Sequence, residues 1–242
     1  MSHLMKNYGR LPVSFDHGQG VWLWDKEGHK YLDALAGIAV NSVGHAHPRL
    51  VRAIADQASK LIHCSNYFNI DLQEQVAEKL VEHSGLEAVF FCNSGLEANE
   101  CAIKIARKFG HAKGIEVPNI IVLKHAFHGR SIATLSATGN PSVRADFSPY
   151  TEGFIFVDES DLDGIRKIVE ENKNVVAIFF EPILGEGGVV PIDLSVIKGI
   201  REICDEHDLL MMCDEVQCGM GRSGKWFAHQ WAETVSYTHL TL

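Results

Sequence analysis

Apolar residues along this chain follow two different patterns. Between residues 13 and 33 they form short β-like runs separated by turn glycines, as in an antiparallel meander. From Pro48 onward, continuous apolar runs alternate with stretches of helical periodicity. Continuous apolar strands that alternate with helices are typical of a mostly parallel sheet covered by helices on both faces. The pattern therefore predicts an α/β fold with an N-terminal β segment.

The second part of the chain is predicted to alternate strands and helices. The predicted strands are 88–92, 120–124, 154–157, 175–180 and 209–213. The predicted helices are one that begins at Asp71 and carries Leu72, Val76 and Leu80 on one face, followed by 97–109, 160–172 and 195–207.

Composition narrows the class of protein. The 242 residues are 46% hydrophobic and 22% charged, and the net charge of −9 comes without a long basic block. Nucleic acid and anionic membrane are therefore poor candidates as partners. No apolar stretch approaches the ~20 residues that span a bilayer, and the N-terminus lacks the apolar region of a signal peptide. The six cysteines form no CxxC pair, so we expect reduced thiols in a cytoplasmic protein.

The first candidate site is the turn 93–99, which the pattern places between the predicted strand 88–92 and a helix. Helix N-termini present backbone N–H groups and the positive end of a dipole, and Gly95 would let a phosphate approach the backbone closely. A tight turn with a serine cap is the simpler interpretation, and the turn alone does not decide between this and a phosphate site. Neither GxxxxGK[ST] nor GxGxxG is present, which argues against a nucleoside-triphosphate loop and a dinucleotide fold.

The second candidate site is the segment 124–130, just after a predicted strand. Phe127 can stack on a flat aromatic ligand, and Arg130 can bind a carboxylate through two parallel hydrogen bonds. The simpler interpretation makes Phe127 a core residue and Arg130 a surface cation. His125 and His128 lack the matching Cys or Asp/Glu spacing of a metal site, so no metal is predicted.

Two further apolar strands end in a carboxylate and a glycine-rich loop. In the segment 179–188, Glu186 could neutralise an arginine or bind a substrate amine, although a solvated loop glutamate is equally compatible. In the segment 209–222, a strand delivers Asp214 to its C-terminal end, the edge where ligands bind in open α/β sheets. A carboxylate there needs a cationic or hydrogen-bonding partner, and a protonated pyridine nitrogen would be suitable.

In this order the four segments resemble those of the fold-type I pyridoxal 5'-phosphate (PLP) enzymes, specifically the class III (ω-amino acid) aminotransferases. The resemblance covers roughly residues 8–232 and is strongest to the acetylornithine aminotransferases, in GIAVNSVGHAHP at 37–48 and CDEVQCGMGRSG at 213–224. It implies a PLP-transferase fold in which 1–50 are the N-terminal segment of the small domain. Residues 51–234 would then be part of the large PLP-binding domain.

The resemblance also implies roles for the phosphate and the substrate. Ser94, Gly95 and Leu96 would hold the cofactor phosphate, largely through backbone N–H groups. Leu96 departs from the threonine or alanine more common in the family, which removes a hydroxyl contact but leaves a backbone contact intact. Arg130 would bind the α-carboxylate of the substrate, and Glu186 would help to manage substrate charge.

For the cofactor ring, the resemblance implies contacts on both faces and at two edges. Phe127 would stack on one face and Val216 would press on the other. Asp214 would pair with the pyridine nitrogen and keep it protonated, and Gln217 would hydrogen-bond the phenolic oxygen.

The reaction also needs a lysine amine that bonds to the cofactor and moves the α-proton. In similar enzymes this lysine would fall close to, or just past, Leu242, and no lysine follows Lys225 here. Nothing in the sequence favours another lysine for this role, whether Lys124, Lys198 or Lys225. No catalytic residue is therefore assigned. Residues 235–242 resemble a translated cloning adapter. We therefore expect a truncated reading frame with a non-native tail and an incomplete fold.

The intact parent is expected to transfer the δ-amino group of N-acetylornithine to 2-oxoglutarate in arginine biosynthesis, as a homodimer, and this chain is expected to be inactive. Three alternatives remain open. The first is another ω-aminotransferase, acting on ornithine, succinylornithine, succinyldiaminopimelate or 4-aminobutyrate. The second is a non-catalytic PLP-binding relative. The third, a nucleotide-dependent oxidoreductase, is disfavoured by the missing dinucleotide fingerprint.

Overall fold

The computed structural model describes residues 3–234 and 238–240. The chain divides into two compact units, Met1–Ile70 and Asp71–Leu242. The division predicted at residue 50 refers to the small and large domains of the family that the sequence resembles, and it stays a prediction. The predicted non-native tail, 235–242, lies outside the described residues except for the backbone of one short strand, Thr238–Leu240.

The first unit contains the predicted antiparallel meander. Its elements are β1 (Phe15–Gln19), β2 (Trp22–Asp25), β3 (Lys30–Leu32), α1 (Ala36–Ala39) and α2 (Pro48–Ala58). The strands pair antiparallel in chain order. The buried carboxylate of Asp25 accepts hydrogen bonds from the backbone N–H groups of Glu27 and His29 and from the Tyr31 hydroxyl, at 2.8–3.0 Å. A single side chain therefore provides the hydrogen-bond acceptors for two backbone N–H groups of the turn between β2 and β3.

The second unit is an α/β domain. Its helices are α3 (Asp71–Ser84), α4 (Gly95–Ala112), α5 (Ile132–Ala137), α6 (Pro141–Arg144), α7 (Leu162–Glu171), α8 (Leu194–His207) and a 3₁₀ helix (Ala228–Ala232). Its strands are β4 (Asn119–Leu123), β5 (Phe154–Val157), β6 (Val175–Phe180), β7 (Ile183–Leu184), β8 (Val190–Pro191), β9 (Leu210–Asp214) and β10 (Thr238–Leu240). The main sheet has the order β10-β9-β6-β4-β5 with every neighbouring pair parallel, and β7 and β8 form a separate antiparallel pair.

Side chains of the main sheet alternate between two apolar cores, because successive residues of a strand point to opposite faces. Ile121 and Ile178 belong to the core that includes residues of α7 and α8. Their neighbours Ile120 and Phe179 belong to the core formed with α4. The predicted parallel sheet with helices on both faces is therefore confirmed.

One predicted strand, 88–92, is wrong. The segment forms no strand, and Phe90 and Phe91 are 66% and 37% exposed. An apolar run becomes a strand only where a neighbour completes its hydrogen-bonded ladder, and the described sheet ends at β5 on one side and β10 on the other without pairing to 88–92. The turn 93–99 therefore begins a helix, as predicted, but it does not follow a strand.

Candidate functional site at the carboxyl edge of the sheet

Three of the four sequence segments meet at one edge of the main sheet. The segment 124–130 follows β4, Glu181 follows β6, and Asp214 ends β9. Because these strands are parallel neighbours, their carboxyl ends lie at the same edge. The fourth segment, 93–99, reaches the same place as the N-terminus of α4, as the contacts of Gly95 and Asn99 show.

Asp214 is buried at this edge and held by hydrogen bonds to both carboxylate oxygens. Its carboxylate is 4% exposed, and Oδ2 accepts hydrogen bonds from Asn99 Nδ2 and His128 Nδ1, both at 2.8 Å. Oδ1 accepts one hydrogen bond, from the Val216 backbone N–H at 3.1 Å. A carboxylate oxygen has two lone pairs, so Oδ1 keeps acceptor capacity for a further donor.

His128 is itself held from several sides. Its ring stacks on Phe179, with centroids 3.8 Å apart and an interplanar angle of 17°. Its backbone N–H donates to Thr138 Oγ1 at 3.0 Å, and its carbonyl accepts from Asn99 Nδ2 at 2.7 Å. The sequence identified His128 only as an unsupported metal candidate, because nothing local links it to Asp214.

Glu181 is a second buried carboxyl at the same edge. It is 5% exposed and accepts hydrogen bonds from the backbone N–H groups of Phe127 (2.8 Å) and Gly185 (3.0 Å). Burial, and then the nearby charge of Asp214, raise the pKa of Glu181 to about 7. Glu181 thus ties the loop after β4 to the loop after β6.

The N-terminus of α4 is capped by its own first turn. Ser94 Oγ accepts a hydrogen bond from the Glu97 N–H at 3.2 Å, and Glu97 Oε2 accepts from the Asn93 N–H at 2.7 Å. Hydrogen bonds from the backbone and then the side chain of Asn93 hold the pKa of the Glu97 carboxyl below its usual value. The backbone N–H groups of Gly95 and Leu96 lie in the first helical turn, where an α-helix offers no internal acceptor.

Two close approaches bring this turn against the loops of the sheet. A Cβ added at Gly95 would lie 2.7 Å from Cγ2 of Val216, so only a glycine fits between the turn and the loop after β9. A Cβ added at Gly129 would lie 3.4 Å from Cγ of Leu96. The predicted phosphate turn thus packs against the loop after β9 and lies near the loop after β4.

The remaining predicted residues divide into two groups. Phe127 is half-buried with the Arg130 guanidinium 5.7 Å from its ring centroid, and Gln217 packs so closely on Gly185 that a Cβ there would collide with it. Glu186 is exposed, and no hydrogen bond or ion pair joins it to Arg130 in the described part of the chain.

Glu215, which sequence analysis did not single out, has a structural position next to Asp214. It is 1% exposed and accepts hydrogen bonds from the backbone N–H groups of Ala228 (2.5 Å) and His229 (3.0 Å) and from His229 Nδ1 (2.6 Å). Glu215 therefore closes the loop that carries Val216. Glu215 lies just past the end of β9, and its partners are 13 and 14 residues further along the chain, so no local spacing marks this role.

Two other kinds of feature are absent from the described residues. No group of three or more His, Cys, Asp or Glu side chains there could hold a metal ion. None of the described helices has both the length and the apolar character needed to cross a bilayer.

Known proteins provide an independent comparison. The chain is 54% identical over 235 residues to the acetylornithine aminotransferase of Nitrosomonas europaea, which covers 97% of this chain and 60% of that protein. It is 50% identical to acetylornithine aminotransferase 1 of Bordetella parapertussis, covering 96% of this chain and 60% of that protein. The chain thus spans about 60% of the length of these curated relatives.

Solved structures show the same relationship. The ornithine aminotransferase of Toxoplasma gondii, described with partial PLP occupancy at its active site, superposes with a TM-score of 0.91 at 33% identity, over 97% of this chain and 55% of that one. The N-acetylornithine aminotransferase of Stenotrophomonas maltophilia gives a TM-score of 0.81 at 39% identity, over 95% of this chain and 57% of that one. The model of the class-III aminotransferase family matches residues 4–236. The chain belongs to the class-III aminotransferases, the fold-type I family whose cofactor is PLP.

Proposed function

We propose that this chain binds PLP at the carboxyl edge of its sheet and forms part of an enzyme that transfers an amino group from an amino acid to a 2-oxo acid. One observation carries the proposal beyond family membership. Asp214 is buried at that edge, held through Oδ2 and left with acceptor capacity on Oδ1. A buried carboxylate in this state is suited to a cationic N–H donor.

The residues present fit the cofactor. The backbone N–H groups of Gly95 and Leu96, with Ser94, lie at the N-terminus of an 18-residue helix, where a phosphate dianion is favoured. Asp214 would hold the protonated ring nitrogen. When bound, PLP supplies an electron sink for negative charge that develops on the substrate carbon.

The ring would be held by residues of the two adjacent loops. Phe127 would pack on one face of the ring and Val216 on the other, and Gln217 would donate to the phenolic oxygen. Glu181 supports this arrangement because it fixes the backbone of Phe127 and of Gly185, on which Gln217 packs.

For the substrate, the exposed guanidinium of Arg130 would bind the α-carboxylate, and Glu186 would face the charge of the incoming amine. The proposed amine donor is N-acetylornithine, with 2-oxoglutarate as acceptor, as part of arginine biosynthesis. The names of the 54% and 50% identical relatives support this donor. Ornithine is the second candidate, because the T. gondii ornithine aminotransferase superposes with a TM-score of 0.91.

A lysine amine is required for turnover, and the described lysines near the site segments are engaged elsewhere. Lys124 Nζ lies 2.8 Å from the Asp158 carboxylate, and Lys225 Nζ donates to the Gln230 carbonyl at 2.9 Å. We propose that these 242 residues supply the noncovalent part of the PLP site and show no turnover by themselves. The homodimer and the cytoplasmic location stay predictions from the family resemblance.

The test measures PLP binding and turnover separately. PLP is titrated into the chain and followed by absorbance, with Asp214→Ala as the site variant and Asp163→Ala, an exposed carboxylate, as the control. We expect Asp214→Ala to abolish binding and Asp163→Ala to leave it unchanged. Equal binding by both variants would contradict the assigned role of Asp214.

Turnover is tested in a chimera that joins this chain to the remaining C-terminal portion of the N. europaea relative. We expect the chimera to form glutamate from N-acetylornithine and 2-oxoglutarate faster than from ornithine, succinylornithine or 4-aminobutyrate. In the chimera, Arg130→Ala should raise KM for the carboxylate substrates and spare PLP uptake. A preference for another donor would overturn the proposed substrate but not the reaction class.

A further inference from the structure

The guanidinium of Arg130 is exposed and available to a ligand. In the described part of the chain no hydrogen bond or ion pair engages it, and it lies 5.7 Å from the ring centroid of Phe127. An arginine side chain has several rotamers, so what it can reach depends on where its backbone is held. The position of Arg130 therefore depends on its two neighbours along the chain, Gly129 and Ser131.

Both neighbours of Arg130 are held by Thr134 of α5. Gly129 has a φ of +130°, and a Cβ there would lie 2.6 Å from Thr134 Oγ1, so a glycine is required. Ser131 donates its backbone N–H to Thr134 Oγ1 at 3.1 Å, and Ser131 Oγ accepts from the Thr134 N–H at 3.2 Å. The backbone on each side of Arg130 is therefore fixed to the first turn of α5.

A second helix, α4, completes this arrangement through Glu100. The Ser131 hydroxyl donates a hydrogen bond to Glu100 Oε1. A carboxylate is an acceptor only, so this contact commits the Ser131 proton to Glu100. Ser131 Oγ then accepts from the Thr134 hydroxyl, 2.7 Å away, as well as from the Thr134 N–H. Because hydrogen bonds to charged groups are stronger than those between neutral groups, Glu100 fixes the direction of the cap.

The same helix also contacts the cofactor side of the candidate site. Gly95 begins α4 against the loop after β9, and Asn99, one residue before Glu100, bonds to Asp214. An α-helix is rigid over so short an interval. Helix α4 therefore fixes the backbone of Arg130 relative to the residues proposed to hold PLP.

We propose that Glu100 and Ser131 are positioning residues for Arg130. Through Ser131, Glu100 holds the start of α5 so that Arg130 presents its guanidinium to the substrate carboxylate from a fixed backbone. This inference rests on the proposed PLP site, and it adds two residues that act through Arg130. It also gives the Ser131 hydroxyl a function beyond capping a helix of six residues.

The first measurement uses the chain alone and needs no cofactor. Hydrogen exchange followed by NMR reports the protection of the backbone N–H groups of Ser131 and Thr134. We expect both to exchange about tenfold faster in Glu100→Ala, because the cap loses the partner that fixes it, while Phe179 in β6 keeps its protection. Glu170 is an exposed glutamate of α7, so Glu170→Ala is the control and should change neither rate. Unchanged rates in Glu100→Ala would overturn the proposal.

The second measurement separates KM from kcat in the chimera with the N. europaea relative. Glu100→Ala removes the acceptor for the Ser131 hydroxyl, and we expect KM for 2-oxoglutarate to rise about fivefold with kcat and PLP uptake unchanged. Glu100→Gln keeps an oxygen acceptor, and we expect a KM within about twofold of wild type. A role in stability alone would lower the thermal unfolding midpoint and leave KM unchanged in both variants.

A double-mutant cycle in the chimera tests whether Glu100 acts through Ser131. Ser131→Ala should raise KM by about as much as Glu100→Ala, and the double variant should be no worse than either single variant. Ser131→Thr keeps the hydroxyl and should retain the KM of wild type. Effects of Glu100→Ala and Ser131→Ala that multiply would mean that Glu100 acts independently of Ser131, and the proposal would be wrong.

The outcomes separate this inference from the proposed function. If the chimera is active and Glu100→Ala leaves KM unchanged, the positioning role is wrong and the proposed function stands. If the chimera forms no glutamate, the proposed function fails, and the chain alone decides the positioning role.

In that case glutarate, an unreactive dicarboxylate, is used to protect Arg130 from modification by phenylglyoxal, with mass spectrometry as the readout. We expect the half-protecting concentration to be about fivefold higher in Glu100→Ala than in wild type and Glu100→Gln. Equal concentrations in all three, or no protection of the wild type, would overturn the proposal.

Discussion

The strand β6 and the segment 88–92 have similar apolar sequences and different structures. β6 lies between two parallel neighbours, and Phe179 and Phe180 are fully buried on its opposite faces. The segment 88–92 has no paired neighbour in the described sheet, and Phe90 is 66% exposed. Strand formation is therefore set by the surrounding sheet and by burial as much as by the residues themselves.

The two regions also lead into different parts of the candidate site. β6 ends at Glu181, a buried carboxyl with two backbone donors. The segment 88–92 leads into Ser94 and Glu97, a cap that lies nearer to solvent. We expect substitutions in the β6 region to have large effects on stability and equivalent substitutions in the other region to have small ones.

The largest effect is expected for Phe180→Ala. The side chain is fully buried in the core that includes residues of α7 and α8, so its removal leaves a cavity. We expect a loss of about 3–5 kcal/mol in the free energy of unfolding. Denaturant titration followed by circular dichroism measures it, and a loss below ~1 kcal/mol would show that β6 is not packed as described.

Glu181→Gln should change how stability depends on pH. The pKa of Glu181 is raised from 4.5 to about 7, so between these values the folded state keeps a proton that the unfolded state has lost. The contribution of Glu181 to the free energy of unfolding should therefore fall as pH rises from 4.5 to 7, by an amount on the order of 3 kcal/mol.

In Glu181→Gln that part of the slope should disappear, because glutamine does not titrate. Glu186→Gln is the matched control, since Glu186 is exposed and lies in the same loop. Denaturant titrations at several pH values between 4.5 and 7 measure both variants. Identical slopes in wild type and Glu181→Gln would disprove the raised pKa.

A smaller effect is expected for Ser94→Ala. The variant leaves the Glu97 N–H without the Ser94 Oγ acceptor, and loss of such a cap costs about 1 kcal/mol. Ser94→Thr is the control, because it keeps the hydroxyl and suits the extended backbone of Ser94. Thermal or denaturant unfolding should rank wild type and Ser94→Thr above Ser94→Ala. Equal stability of all three would show that the cap contributes nothing.

The smallest effect is expected for Phe90→Ala, which repeats the chemistry of Phe180→Ala at an exposed position. We expect a change within about 0.5 kcal/mol under the same conditions. A loss of several kcal/mol would mean that Phe90 is packed in solution, and the contrast between the two regions would then fail.

Much of the fold could be predicted because its signals are local. The runs 154–157 and 175–180 are strands with the predicted bounds. The second run is buried along its whole length, and a strand buried on both faces is apolar throughout. The run 88–92 has the same local signal, and its different outcome depends on neighbours that the pattern does not show.

The candidate site could be predicted only in part, for the same reason. Asp214 was recognisable because it ends an apolar strand at the ligand-binding edge. Its partners Asn99 and His128 lie 115 and 86 residues away along the chain, and no local spacing connects them to it. Similarly, the loop position of Glu186 is visible in the sequence, whereas the burial of Glu181 depends on donors from two separate loops.

Helix α4 contacts the candidate site through two residues that are about one turn apart. Gly95 lies against the loop after β9, and Asn99 bonds to Asp214 one turn further along the same helix. An α-helix advances about 1.5 Å and turns about 100° per residue, so the spacing between Gly95 and Asn99 is rigid. One residue inserted between them would turn Asn99 about 100° away from Asp214 and lengthen the spacing along the helix axis by about 1.5 Å. The helical pitch, and not an adaptable loop, therefore sets how far the first turn of α4 lies from the point where Asn99 meets the Asp214 carboxylate.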